Sequence, residues 1–469
     1  MDSLIKNIHS PGLVGILDSW LIVPNLVKLR LKGWLFLGII FCTGTSFPPE
    51  ETGRSLLPPP NVVFLSVDTL RADRLGCYTC ERSITPSLDA FAKEALVFEN
   101  CVSEIPLTGP SFGAMLTSQY PRMTGAILNG IPVPESIIKV PEIFHNAGYQ
   151  TFCVQSNWPL KADLCGLQYG FDVYEDSFGK KRVGEANAER YADEVTELAL
   201  AFLKKWERSR PLFCWIHYSD PHAPYRFHKE FNPDGSELLG MDREVKVRAK
   251  YNSEVAFTDH HLGRLLSSLP RENTFVLFVA DHGESLYEHG YLGHGKNLYE
   301  VDIHVPLMIR GPNISSGKST VPVCGIDIGT TLLGLAGLKS TTEMLGRDIL
   351  TDKIMEDRVH VIETYTHARV GGAYERGNQL DSLMSPTEPL RQAILSNGWK
   401  LIQGMKKCEL YQTSQDLMEE HDIALNYQEK VRELSAMMET WESKTPVSNK
   451  TKSNLNNDDV ESLKNLGYL

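Results

Sequence analysis

Cationic side chains are in deficit. Lys and Arg number 47 against 59 Asp and Glu, a formal charge of −12 over 469 residues. A field of that sign does not draw the chain to nucleic acid or to an anionic membrane surface. An anionic substrate therefore needs a local cation, which points toward a metal. Cysteine is scarce too: nine residues, an odd number with Cys42 in the N-terminal leader, do not make a dense disulfide framework. Cys77 and Cys80 form a CxxC, which without a second pair reads as two thiols in a loop rather than a disulfide or half of a metal site. No internal repeat is present, which excludes a solenoid. The apolar run WLFLGIIFCTGTS, preceded by Lys28, Arg30 and Lys32, is too short to span a bilayer comfortably and has the length of a signal-peptide h-region. Export follows as an expectation, to a periplasmic, membrane-anchored or secreted destination. Residues 1–46 are read as a signal peptide cleaved after Ser46, or as a lipid or membrane anchor; residues 47–60, rich in proline, are a tether.

What is present belongs to an ordinary globular protein, 42% hydrophobic and 23% charged. Three apolar runs of strand length stand out: NVVFLSV (61–67), PLFCWIHY (211–218) and TFVLFVA (274–280). Continuous apolarity implies burial on both faces of a sheet. Between them, Val195, Leu198, Ala199, Phe202, Leu203 and Trp206 recur at helical spacing, and residues 253–269 give a second such face. Alternating strands and helices predict an α/β fold, a large mostly parallel sheet sandwiched by helices, over residues 61–350. Residues 351–469 read as a smaller C-terminal α+β subdomain with a terminal helix and a polar tail.

Each apolar strand runs into residues that carry chemistry. The first ends at Asp68, the second at Asp220 and His222 in SDPHAPY, the third at Asp281 and His282 in DHGE. Ligands in open α/β sheets bind beyond the carboxyl ends of the strands, so these clusters are expected to share one crevice. Asp with imidazole suits zinc or manganese, whereas an all-oxygen set would suit calcium. A Gly-punctuated loop then supplies His289, His294 and Lys296, of which His294 is the better candidate for the site. Thr108, in EIPLTGPSFGAMLTS, stands at the start of a helix: either a cap, or a hydroxyl beside an anion held at the helix N-terminus and activated by a metal.

The segments DTLRADRLGCY, TPSLDAFA, TGPSFGAMLTSQYPRMTG, DPHAPY, DHGESLYEHGYLGHG, VPLMI, WKLI, ELY and LGYL, in that order, resemble the sulfatase family of the alkaline phosphatase superfamily. The resemblance covers about residues 61–469. It implies a metal-dependent hydrolase of sulfuric or phosphoric esters. Asp68, Asp281, His282 and Thr108 would hold a divalent ion (zinc, manganese or calcium), Thr108 would be the nucleophile, and His222 and His294 would bind the anionic head or protonate the leaving oxygen. Thr69 stands where many sulfatases have a further acidic ligand, which weakens the case for calcium. Thr108-Gly109-Pro110-Ser111-Phe112 lacks both the oxidisable residue and the arginine of C/S-x-P-x-R, so no formylglycine is expected. QSNW, with Ser156 and Trp158, replaces the family's GKWH.

A formylglycine hydrate releases sulfate by collapsing to the aldehyde; a threonine ester must instead be cleaved at sulfur or phosphorus. The expectation is thus a Thr108-dependent hydrolase of a phosphate or sulfate ester or diester, including phosphodiesterase chemistry. Its substrate would be a small-molecule, glycan or lipid ester, with no nucleic acid as partner and the N-terminus as a membrane anchor. The alternatives are a sulfuric ester hydrolase without formylglycine and a non-catalytic anion-binding homologue. Asp220, His222 and His294 are candidates for a second metal.

Overall fold

The computed structural model describes residues 58–79, 83–179, 189–233, 235, 238–353, 358–365, 388–404 and 407–448. Its strands in chain order are β1 (Asn61–Val67), β2 (Leu96–Phe98), β3 (Cys101–Val102), β4 (Gln150–Val154), β5 (Val173–Glu175), β6 (Leu212–Tyr218), β7 (Thr274–Ala280), β8 (Ser285–Leu286), β9 (Leu292–Gly293), β10 (Leu307–Arg310), β11 (Gly317–Ser319) and β12 (Val323–Cys324). Eight of them form one sheet in the order β11-β2-β10-β7-β1-β6-β4-β5. The three apolar runs occupy its centre: β1 lies parallel to β6 on one side, Phe64 opposite Trp215, and parallel to β7 on the other, Phe64 opposite Leu277. All of β6 is buried, and so are six of the seven residues of β1. β10 runs antiparallel to β7 and β2. The chain leaves β7 at its carboxyl end, builds the loop of residues 281–306 there, and comes back alongside, so its direction is reversed.

The helices are α1 (Pro86–Ala92), α2 (Thr108–Thr117), α3 (Pro121–Thr124), α4 (Val140–Asn146), α5 (Ala162–Cys165), α6 (Ala192–Lys205), α7 (Arg243–Ser268), α8 (Glu300–Ile303) and α9 (Ile326–Leu335). On one sheet face, Phe112 of α2 lies 4.8 Å from the Trp215 ring and 6.4 Å from Phe64, and Phe144 of α4 stacks on Phe213 at 4.1 Å. On the other face, Phe202 of α6 stacks on Phe152 at 5.2 Å. Aromatic pairs of this kind add about 0.5–1.5 kcal/mol each beyond the area they bury, so they hold α2 and its first residue on the sheet. The amphipathic pattern of residues 253–269 is the apolar half of α7, which begins ten residues earlier, at Arg243.

Four more strands, β13 (His360–Thr364), β14 (Arg391–Ser396), β15 (Trp399–Gly404) and β16 (Cys408–Gln412), make an antiparallel meander. The β14–β15 hairpin turns at Asn397-Gly398, both at positive φ (51° and 75°), the pairing that suits a two-residue turn. The last helix, α10 (Gln428–Lys444), lays Leu434 and Met438 on Val361, Ile394, Leu401 and Leu410. Both sheets belong to one compact unit, Leu57–Leu469. Among the described residues no helix is long and apolar enough to cross a membrane. The leader, residues 47–57 of the tether, the terminal LGYL and Cys80 lie outside the described residues; Cys77 is a free thiol, which burial pushes up to about 12.

Candidate active site

Asp68 is the residue after β1, and Asp281 and His282 are the residues after β7, so the parallel pairing of these strands sets them side by side. One ligand atom from each lies within 4.8 Å of the others, and all three residues are fully buried. Thr69, at φ +53°, turns its N–H onto Asp281 Oδ1 (3.1 Å) and its hydroxyl onto the Asp68 carbonyl (2.8 Å). A β-branched residue is strained in that region. Here the strain aims a backbone donor, and Thr69 adds no ligand.

α2 starts at Thr108 itself. Leu107 is the N-cap and no side chain caps the helix, so the Thr108 hydroxyl is not a cap. Its Oγ1 lies 3.5 Å from Asp68 Oδ2 and 3.5 Å from His282 Nε2. The position follows from Phe112, one turn later on the same helix face, which is wedged between Phe64, Trp215 and His217. The residue at the place of the family's arginine is therefore the helix's anchor in the core. Ser111 adds a bond from its hydroxyl to the Asp281 carbonyl (2.8 Å), tying α2 to the loop after β7. The helix end offers an anion less than the sequence suggests, because Gly109 N–H already donates to Asn129 Oδ1 (2.8 Å) and Pro110 has no N–H.

Whether a cation fits is decided by the atoms left over. Asp68 Oδ1 and Asp281 Oδ2 are buried, with no hydrogen-bond partner among the described residues. His282 Nδ1–H donates to the Gly283 carbonyl (2.9 Å), and a carbonyl can only accept, so Nε2 keeps its lone pair. That Nε2 is 3.4 Å from Asp281 Oδ2 and 3.8 Å from Asp68 Oδ1. Three acceptors converging without a donor fit a divalent ion. The electrostatics agree: burial raises Asp68 well above the usual carboxylate range, with the Asp281 charge adding to it, and burial raises Asp281 to about 7. Burial likewise lowers His282 to about 3.

His222 and His294 meet at the same crevice, Nε2 to Nε2, at 3.1 Å, and the His294 ring centroid is 4.4 Å from that of His282. His294 Nδ1–H donates to the Pro106 carbonyl (3.1 Å), two residues before Thr108. In the neutral pair His294 Nε2 must then accept, and His222 Nε2–H donate, so one proton is shared between the two rings. Burial lowers His222 to about 4, and it lowers His294 well below its ordinary value, where His282 and His222 add to the effect. His289 lies apart, stacked on Tyr299 at 3.6 Å.

The second-metal set of Asp220, His222 and His294 is not assembled. Asp220 Oδ1 accepts the first N–H of α6, at Ala192 (3.0 Å), and among the described residues Asp68, Asp281 and His282 are the one group of three donors close enough for an ion. Asp220 acts as a helix cap. Two asparagines escaped the sequence reading. Asn129 holds Gly109 and keeps Nδ2 buried with no partner among the described residues, and Asn157 donates from Nδ2 to Asp68 Oδ2. In QSNW it is thus Asn157, not Ser156 or Trp158, that touches the ligand set; Trp158 packs with Ile105, Leu107 and Tyr365.

The Sulfatase family model matches residues 60–338, more than half of the chain. An ulvan-active sulfatase of Formosa agariphila is 28% identical over 331 residues, 62% of this chain and 64% of that relative, so the match spans less than two thirds of the relative's length. Two solved structures share the fold. One, of a protein in complex with its substrate D-glucosamine-2-N,6-O-disulfate, has a TM-score of 0.66 at 18% identity and covers 82% of this chain and 98% of its own. The other, a phosphonate monoester hydrolase from Silicibacter pomeroyi, has a TM-score of 0.63 at 17% identity and covers 85% and 100%.

Proposed function

The chain belongs to the sulfatase family, and from that premise we propose that it is a metal-dependent hydrolase of sulfate or phosphate esters in which Thr108 is the nucleophile. One observation carries the reading: the Thr108 hydroxyl stands 3.5 Å from both Asp68 and His282, at the cluster of unsatisfied acceptors. A divalent ion held by Asp68, Asp281 and His282 would lower the pKa of an adjacent hydroxyl and offset charge on the transferred group. Thr108 Oγ1, giving its proton to Asp68 Oδ2, then attacks sulfur or phosphorus as the bond to the leaving oxygen breaks, and the His222–His294 pair, carrying one extra proton as an imidazolium in the substrate complex, protonates that oxygen and returns to the neutral pair. Two neutral amides flank the Thr108–Asp68 end of the site: Asn157 Nδ2 donates to Asp68 Oδ2, and Asn129 Oδ1 accepts the Gly109 N–H. The Thr108 ester has no second hydroxyl on its carbon and cannot collapse to an aldehyde, so water must attack the same sulfur or phosphorus to release it.

That second step is ordinary for phosphoryl transfer and favours a phosphate ester or diester. Sulfate esters are the second reading, which the ulvan-active sulfatase supports; a small-molecule or glycan alcohol suits either. The test combines elemental analysis with assays on 4-nitrophenyl sulfate and 4-nitrophenyl phosphate, for wild type and Thr108→Ala. Retained metal with lost turnover is expected; turnover equal to wild type in Thr108→Ala would remove the nucleophile.

A further inference from the structure

A cavity of about 430 Å³ opens beside the loop that carries His294, with Lys296, Arg391, Lys407 and Glu409 in its walls. The wall is built by stitching that loop to the C-terminal meander. The Thr364 hydroxyl of β13 donates to the Gly295 carbonyl. Arg391 is the residue opposite Thr364 on β14, and its Nη1 donates to Asn297 Oδ1 (3.2 Å). Lys296 is held between these two points.

The charges in the cavity do not cancel. Glu409 accepts from the Tyr299 and Tyr411 hydroxyls (2.8 Å each) and pairs with Lys407 (3.2 Å), which also faces Asp422 (3.5 Å). Lys296 and Arg391 have no carboxylate within ion-pair distance among the described residues; the Lys296 ammonium has the Tyr291 ring at 6.0 Å. Two uncompensated cations lining one cavity, in a chain of net charge −12, mark a place for an anion. It is close to the chemistry, since Lys296 follows His294 by two residues, at most about 7 Å of extended chain.

We propose that this cavity is a second anion subsite, which takes a sulfate, carboxylate or phosphate group on the alcohol part of the substrate while the ester to be cleaved lies at Thr108. The substrate class is therefore a polyanionic ester, and this assignment rests on the hydrolase reading above.

Binding separates the subsite from catalysis. Metal-loaded Thr108→Ala protein is titrated calorimetrically with D-glucosamine-2-N,6-O-disulfate and with each monosulfate. The disulfate is expected to bind about tenfold more tightly, the worth of one charge-assisted contact. Lys296→Met, which leaves the Arg391–Asn297 bond in place, should reduce that preference severalfold without changing monosulfate affinity; Lys296→Arg should keep it, and Arg391→Gln should reduce it as well. Equal affinities for the probes, or a preference that survives both Lys296→Met and Arg391→Gln, would overturn the proposal. Wild-type protein that shows the preference but hydrolyses neither aryl ester would overturn the hydrolase reading and leave the anion site standing.

Discussion

Asp281→Asn in metal-free protein puts the charge balance of the site on trial. The asparagine is isosteric and keeps an oxygen for the N–H groups of Thr69 and His282, which bond Asp281 Oδ1 at 3.1 and 2.8 Å. The charge is lost, and Oδ2 is replaced by an NH2 group that can donate to His282 Nε2, 3.4 Å away. Burial raises the Asp281 carboxyl from 3.8 to about 7 in the folded state, a gap of about three pH units. At about 1.4 kcal/mol per unit, ionising it costs the apoprotein on the order of 4 kcal/mol. Below about pH 3 both folded and unfolded chains are largely protonated and the penalty is absent. As pH rises from about 3 to 7 the unfolded chain ionises first, so the folded state loses stability, and above 7 the full penalty stands. In urea unfolding with chelator present, Asp281→Asn should come closest to wild type below about pH 3 and exceed it by several kcal/mol at pH 8. With divalent metal added, wild type should recover and the variant should not. A variant less stable than wild type at pH 8 in chelator would refute the claim that these acceptors await a cation.

Phe112→Ala should cost about 3–5 kcal/mol as a buried aromatic truncation, and Phe112→Leu much less, read from urea midpoints; a loss under about 1 kcal/mol would deny Phe112 its role as the anchor of α2. His294→Asn is expected to slow turnover by about 10²–10⁴, with the smaller loss for esters of acidic phenols, whose leaving oxygen needs no proton; an equal loss for all leaving groups would argue against proton donation. His304 has the same pH sign but acts as a stabilising group at low pH rather than a destabilising one at high pH. Its ring nitrogens face Glu300 Oε1 (3.1 Å) and the Glu99 carbonyl (2.8 Å), with Asp73 nearby, and these raise its pKa against the effect of burial. Its contribution is complete below about 6.5, the unfolded value, and fades as pH passes the higher folded value, so the stability gap between wild type and His304→Gln should narrow between pH 6 and pH 9. A gap independent of pH would mean that the ring is neutral.

The strands that hold the site could be read almost residue for residue. β1 and β7 fall on residues 61–67 and 274–280, because a strand buried on both faces is a continuous apolar run. The reversal of β10 could not, since strand direction depends on where the intervening chain travels. α7 was foreshortened because most of its first ten residues are polar and only partly buried, giving no apolar stripe. Within the site, the Asp and His residues announced themselves by following apolar strands. Asn129 and Asn157 did not: an asparagine beside glycine or serine reads as a turn, and only the folded chain shows Asn129 under the start of α2. Asp220 misled for a related reason, as a carboxylate after a strand serves equally well to cap a neighbouring helix.

The central claim is that Thr108 carries the transferred group. Rapid acid quench of metal-loaded protein with 4-nitrophenyl phosphate and, separately, 4-nitrophenyl sulfate, followed by mass spectrometry of the peptide containing Thr108, tests it directly. The expected result is one added phosphoryl or sulfuryl group on Thr108, formed as fast as the nitrophenol burst and missing from Thr108→Ala. Turnover with no such adduct at any quench time, and with Thr108→Ala as active as wild type, would contradict it.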